Sequence, residues 1–252
     1  MGVMTKTRVN YWVRKSHRWI SLIIGVQLLL WTISGLYFSL VPMATVRGED
    51  NIRKVEPVNF AQTTLISPTL AIDKLIEETG LATKVRAVKL RQVLGAPAYE
   101  IHFATSGPTK IRLASAITGD LLPALNKEQA MEAAETDFSQ PAEISSVEYI
   151  TFVNPGSEYR NRPLPAWQVS FGDKNNTRIY VSSELAKVTA RRNDSWRYFD
   201  FLWMLHIMDL EDREDFNTFL LQALSAIAIF TILSGFILWA LTTSLFRRLQ
   251  TK

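Results

Sequence analysis

The sequence predicts an α+β membrane protein in which two transmembrane helices flank two tandem units, each a helix followed by an antiparallel sheet. Three observations carry this prediction. Residues 19–46 run 28 residues without a charged side chain, and residues 216–246 run 31. A helix needs only about 20 apolar residues to cross a bilayer core. Between the two runs, a helix-then-strands pattern occurs twice, with close correspondence at a constant offset of 68 residues. Basic residues gather outside the two apolar runs and acidic residues inside them.

The charge asymmetry sets the expected topology. Lys6, Arg8, Arg14, Lys15 and Arg18 precede the first run, with no acid before Glu49, and Arg247, Arg248 and Lys252 follow the second. The inner flanks carry Glu49, Asp50, Asp209, Glu211, Asp212, Glu214 and Asp215 against Arg47 and Arg213. Positive charge beside membrane spans stays on the cytoplasmic side. The 1–18 segment and the 247–252 tail are therefore expected in the cytoplasm and the central region on the far side. The basic balance of the chain, +4 overall, follows from this topology and gives no reason to expect nucleic-acid binding. The 19–46 run exceeds the ~7–15 apolar residues of a cleaved signal peptide, so an uncleaved anchor is expected. The chain has no cysteine, which excludes disulfides, thiolate metal sites and cysteine nucleophiles.

Taken in order, the first span shows Ser21, Gly25, Leu28, Thr32, Gly35 and Ser39 at alternating steps of four and three, one face of a helix. Small residues let a second helix approach closely in lipid. The second span offers Ala228, Thr231, Gly235, Leu238 and Thr242, so the spans are expected to pack on each other, with a partner subunit as the alternative. Residues 47–124 hold a linker, to about residue 66, and the first unit. Ser67-Pro68 is a suitable helix start and Gly80 a stop, and strands are expected at 85–93, 98–104 and 110–115. Residues 125–194 hold the second unit: a helix at 127–138 with Asn126 and Gln129 as a capping box, then strands at 145–153, 166–171 and 177–182. The matched segments are 97–103 with 165–171 and 109–113 with 177–181. Residues 195–215 begin with an aromatic-rich stretch, Trp196, Tyr198, Phe199, Phe201 and Trp203, too short to span and suited to the membrane interface. An acidic turn then leads into the second span.

Taken together, these features resemble the PepSY-associated transmembrane family. The carrying residues are Lys15-Ser-His-Arg-Trp19, Thr32-Ile-Ser-Gly35, the tandem repeat and Trp203-Met-Leu-His-Ile-Met-Asp209. The resemblance implies a bacterial cytoplasmic-membrane protein with periplasmic PepSY units. Such units elsewhere bind or inhibit peptidases. Larger relatives with four spans are linked to iron uptake, some similar to haem-bearing reductases of ferric siderophores. This chain differs in having two spans. It also has Leu185-Ala186 where the second unit usually carries Thr-Gly, which the first unit keeps at Thr118-Gly119.

Three histidines are available. His102 lies between Ile101 and Phe103 on a strand and is expected to face solvent. His17, at the inner end of span one, and His206, at the outer interface, occupy the motif positions that the resemblance associates with haem b ligation. From His17 to the outer end of that span is about 25 residues, or ~38 Å, so one iron cannot accept both. A second chain or a partner would have to complete each site. In the second unit the insert 154–164 carries Tyr159, Arg160 and Arg162, expected either as a solvated loop or as a contact for an anion or protein partner. No phosphate loop, HExxH or cluster of ionisable groups marks a catalytic or metal site. The sequence therefore leaves three readings. The first is a non-enzymatic binding or regulatory module in a membrane or periplasmic complex, as a homodimer or larger assembly. The second is a haem-linked electron-transfer protein, and the third a peptidase inhibitor.

Overall fold

Helix α1 (Lys6–Leu40) is 35 residues long and free of proline, and it ends two residues before Pro42, whose ring cannot continue it. The computed structural model describes residues 6–54, 60 and 63–242, with their side chains except at 6–10, 13, 241 and 242. Arg247, Arg248, Lys252, the end of the 216–246 run and part of the linker to residue 66 lie outside the described residues. So do the side chains of Lys6 and Arg8. After α1 come α2 (Met43–Val46), α3 (Pro68–Thr79), β1 (Lys84–Val93), β2 (Ala96–Ala104) and β3 (Lys110–Ser115). Then follow α4 (Lys127–Asp137), β4 (Ile144–Ile150), β5 (Ala166–Phe171), β6 (Arg178–Ser182), β7 (Lys187–Arg192), α5 (Asp194–Ile207) and α6 (Phe219–Thr242). The chain divides into two compact units, Met43–Arg197 and the paired ends Met1–Pro42 with Tyr198–Lys252.

In the central unit each repeat forms for local reasons visible in its sequence. Ser67 caps α3 by accepting from the Thr69 amide, and Pro68 fills the first helical position. Asn126 and Gln129 form the expected capping box on α4. Ala71 and Leu75 of α3 bury against Tyr99, Ile101, Phe103 and Ala114 of the sheet β1-β2-β3. Ala130 and Ala134 of α4 bury against Val169, Phe171, Ile179 and Val181 of the sheet β4-β5-β6-β7. Small residues on both helices bring them close to their sheets, and long β-branched and aromatic residues fill the space from below.

Two sequence expectations change here. The repeat offset is 68 through β2 and β5 but 67 in β3 and β6: Ile101 pairs with Arg112, whereas Val169 pairs with Ile179. The cause is the intervening turn, residues 104–109 in the first repeat and 172–176 in the second, one residue shorter. A slip of one residue exchanges the two faces of a strand. Ile179 therefore corresponds to Arg112, not to Ile111. The second sheet also gains a fourth strand, β7, which the polar run Lys187–Arg192 conceals. Its charges are satisfied in place: Arg191 pairs with Asp137, and Arg192 donates to the Glu158 carbonyl.

The repeats are joined through backbone carbonyls. Arg91 of the first repeat donates to Leu185 O and Ala186 O of the second; within the second repeat the Leu125 amide donates to Ser183 O and the Trp167 indole to Leu125 O. The turn residue Ala186 adopts φ +42°, where the matching turn of the first repeat has Gly119 at φ +78°. His102 does point away from Ile101 and Phe103, but not into water: its Nε2 lies 2.8 Å from the buried Glu100 carboxylate.

The unit formed by the chain ends contains two helices long and apolar enough to cross a membrane, Arg14–Leu40 and Phe219–Ala240. They pack on each other, with His17 against Gly235. Seven residues along each helix in opposite directions lie Ile24 and Ala228, both buried. On α6, Ala228 is buried and Thr231, Gly235 and Leu238 are half-buried, as expected, while the Thr242 side chain lies outside the described residues. The α1 stripe holds in part: Ser21, Leu28 and Gly35 are half-buried, but Gly25, Thr32 and Ser39 are exposed, and the fully buried positions are Ile24, Gln27 and Ser34. Because α6 supplies small residues at the seam, α1 can present larger ones, and its face turns by about one position.

Candidate functional site

The two histidines singled out by sequence both lie on the inward face of α1 or against it. His17 sits between α1 and α6, its Nδ1 2.7 Å from Ser234 Oγ and its Nε2 3.3 Å from Ser21 Oγ. Gly235 lies against the ring: a Cβ there would be in ordinary contact, 3.4 Å from His17 Cε1, and only a larger side chain would crowd it. Beside the ring opens a cavity of about 510 Å³ lined by Trp12, Ile20, Ile227 and Phe230 as well as His17 and Ser234. A mostly apolar recess with a few polar atoms is how small-molecule and cofactor sites are built.

His206 occupies the last turn of α5, which runs back along α1 through Phe199 and Trp203 against Phe38. Its Nδ1 is 2.7 Å from Ser34 Oγ, its carbonyl accepts from the Trp31 indole, and its ring stacks with Trp203 and meets Phe38 edge-on. Asp209 then organises the following turn by accepting from the amides of Glu211, Asp212, Glu214 and Asp215. The sequence alone set His206 level with the end of the span. The structure sets it beside Ser34, so the two histidines are 17 residues of helix apart, about 25 Å. Each ring therefore stands alone within one chain. Sequence reasoning gave no role to Ser234 and Trp31, and none to Ser34 beyond its place in the motif Thr32-Ile-Ser-Gly35, because their partners lie some 170 to 220 residues away.

Residues 14–252 match the family described as the PepSY-associated TM region. The chain belongs to the PepSY-associated transmembrane family. It is a membrane protein, and its two apolar helices are transmembrane helices. No curated protein and no solved structure matches it.

The loop 154–164 of this PepSY-associated protein is gripped from beneath. Tyr159 is fully buried, stacked on Tyr180 with its hydroxyl donating to Pro163 O and 2.8 Å from Thr189 Oγ1. It thus fills the core and offers no surface to a partner. Glu158 accepts from Tyr180 (2.7 Å), Arg197 (2.9 Å) and Arg178 (3.0 Å). Burial by itself would raise the Glu158 carboxyl, but the hydrogen bonds from Tyr180 and Arg197 and the Arg197 charge hold it below the usual carboxylate range. Burial and the neighbouring Glu158 push the Tyr180 hydroxyl up. Arg192 lies over Trp196 at 4.2 Å, and burial together with the Arg162 charge brings its guanidinium down to about 10. Arg160 also faces Trp196 and donates to Ser157 O, while Arg162 is exposed. Among the described residues, no group of three or more His, Cys, Asp or Glu is placed to hold a metal ion.

Proposed function

We propose that this protein is a haem-linked electron-transfer subunit of a membrane complex, with both termini cytoplasmic and residues 43–197 outside. One observation carries the reading: each end of the helix assembly holds one histidine whose Nδ1 is held at 2.7 Å by a serine, which turns Nε2 toward iron; at His17 that Nε2 also stands 3.3 Å from Ser21 Oγ. His17 and His206 fit a haem b on three grounds: the short serine contact at 2.7 Å is to Nδ1 in both rings, so Nε2 is the ligating nitrogen, the His206 ring orientation is fixed by packing on Trp203, and the cavity at His17 is apolar. Haem bound there supplies one-electron transfer. The protein's part is to hold both rings at fixed depths, about 25 Å apart along α1, and to exclude water from them. A second copy of the chain, or a partner protein, would supply the other protein ligand at each depth. Lipid contacts the outer faces of both spans. The basic residues Arg14, Lys15 and Arg18 support the orientation.

An absorption spectrum of the purified full chain, expressed with haem supplied, tests this directly. A Soret band that weakens by about half in His17→Ala, by half in His206→Ala, and vanishes in the double variant is expected. No band, or a band untouched in the double variant, ends the reading.

A second reading keeps the outer unit as a binding or regulatory module. What supports it is a polar cleft of about 790 Å³ between the two repeats, bordered by Glu78, Lys110 and Arg112 on one side and Leu164 and Glu184 on the other. Purification from gently solubilised membranes should then bring down a second protein in fixed proportion. Recovery of this chain alone counts against it.

A further inference from the structure

We infer that Ser34 and Ser234 are positioning residues that lock His206 and His17 in the Nδ1–H tautomer, presenting the Nε2 lone pair. This rests on the haem reading for its purpose, but not for its chemistry. A serine hydroxyl has one hydrogen. The Ser234 hydrogen goes to Thr231 O at 2.8 Å, and the Ser34 hydrogen to Leu30 O at 2.8 Å. Each Oγ can then only accept from the histidine that stands 2.7 Å away, so each Nδ1 must carry the proton. An unconstrained neutral histidine side chain prefers the opposite tautomer, Nε2–H, and the serines reverse that preference. The same device occurs on two unrelated seams, α1 with α6 and α1 with α5, at the two depths where a lone pair is needed. A ligating histidine whose other nitrogen donates is both better oriented and more basic.

The two sites are not equal. Ser21 Oγ lies 3.3 Å from His17 Nε2, while among the described hydrogen bonds His206 Nε2 has no such neighbour. Ser21 therefore caps the inner lone pair and must release it before His17 can take a ligand.

The full chain in lipid nanodiscs, labelled with ¹⁵N at histidine, provides the test. With only three histidines, all ring nitrogens are assignable. In mildly alkaline buffer without haem, His17 and His206 should show Nδ1–H and a bare Nε2. Ser234→Ala should release His17 alone and Ser34→Ala His206 alone. Ser→Thr at either position should restore the lock, since threonine in a helix also donates its hydroxyl to a carbonyl one turn back. With haem titrated in, each Ala variant should lose about tenfold to a hundredfold in affinity at its own site and shift that site's midpoint potential upward, while Thr keeps both. Ser21→Ala should tighten the inner site by about threefold to tenfold, the weight of one hydrogen bond. Nε2–H rings in the unaltered chain, or Ala variants with unchanged ring signals, overturn the inference. Nδ1–H rings in a chain that takes up no haem would leave the lock standing and remove the haem reading, so the two failures are distinguishable.

Discussion

Replacing Glu158 by Gln isolates the charge that grips the loop 154–164 while keeping its shape. The carboxylate is 15% exposed, and its three donors differ in worth. Tyr180 can still donate to the amide oxygen, so that bond is retained. Arg178 is 42% exposed, and its pairing counts as a surface ion pair of about 0–1 kcal/mol. Arg197, 28% exposed, makes a charge-assisted bond of about 1.5–3 kcal/mol. The expected cost is about 2–4 kcal/mol, concentrated in the loop. The amides of Tyr159 and Arg160, bonded to Ser157 Oγ and Ser157 O, report it. Hydrogen exchange of the full chain should speed up at these amides by about 30-fold to 1,000-fold in Glu158→Gln, at roughly tenfold per 1.4 kcal/mol. The pH dependence adds a sign. The native carboxyl is held below its unfolded value, so its contribution is complete above about pH 4.3 and is lost as pH falls through the native value. Original and variant should therefore converge in acid. Less than a threefold change at neutral pH, or a gap that widens in acid, would refute the reasoning.

Three further outcomes are expected. Ala186→Gly removes a left-handed strain at φ +42° and should stabilise the central unit by about 0.5–1 kcal/mol, read as a rise of a few degrees in its thermal midpoint; a fall shows that the Ala methyl is needed. Gly235→Val should displace His17, because even a Cβ stands 3.4 Å from its ring; the His17 ring signals should move while those of His102 stay, and an unmoved His17 means the seam is looser than drawn. Arg162→Cys introduces the chain's single thiol at an exposed position. A membrane-impermeant maleimide should label it in intact spheroplasts, and labelling only after permeabilisation reverses the proposed orientation.

Much of the architecture was legible because it rests on local physics. Length without charge marked both spans, Ser67-Pro68 and Asn126 with Gln129 marked helix starts, and self-similarity marked the repeat. The failures share one origin, contacts distant in sequence. Nothing in Lys187–Arg192 announces a strand until Asp137 and Glu158 are seen to receive its arginines. Tyr159 sits in a loop-like string of polar residues, yet its stack on Tyr180 makes it core. The α1 stripe misled in part because small residues are needed on one side of a helix seam only, and α6 provides them.

Composition and periodicity by themselves determined that this chain has two membrane-spanning helices with helix-and-antiparallel-sheet structure between them, since hydrophobic length and strand and helix patterns are properties of neighbours along the chain. Which atoms of His17 and His206 are held, and which are left to act, was decided only by tertiary structure. A ring's tautomer depends on partners that the fold brings from Ser234, more than two hundred residues away, and from Ser34 across two packed helices.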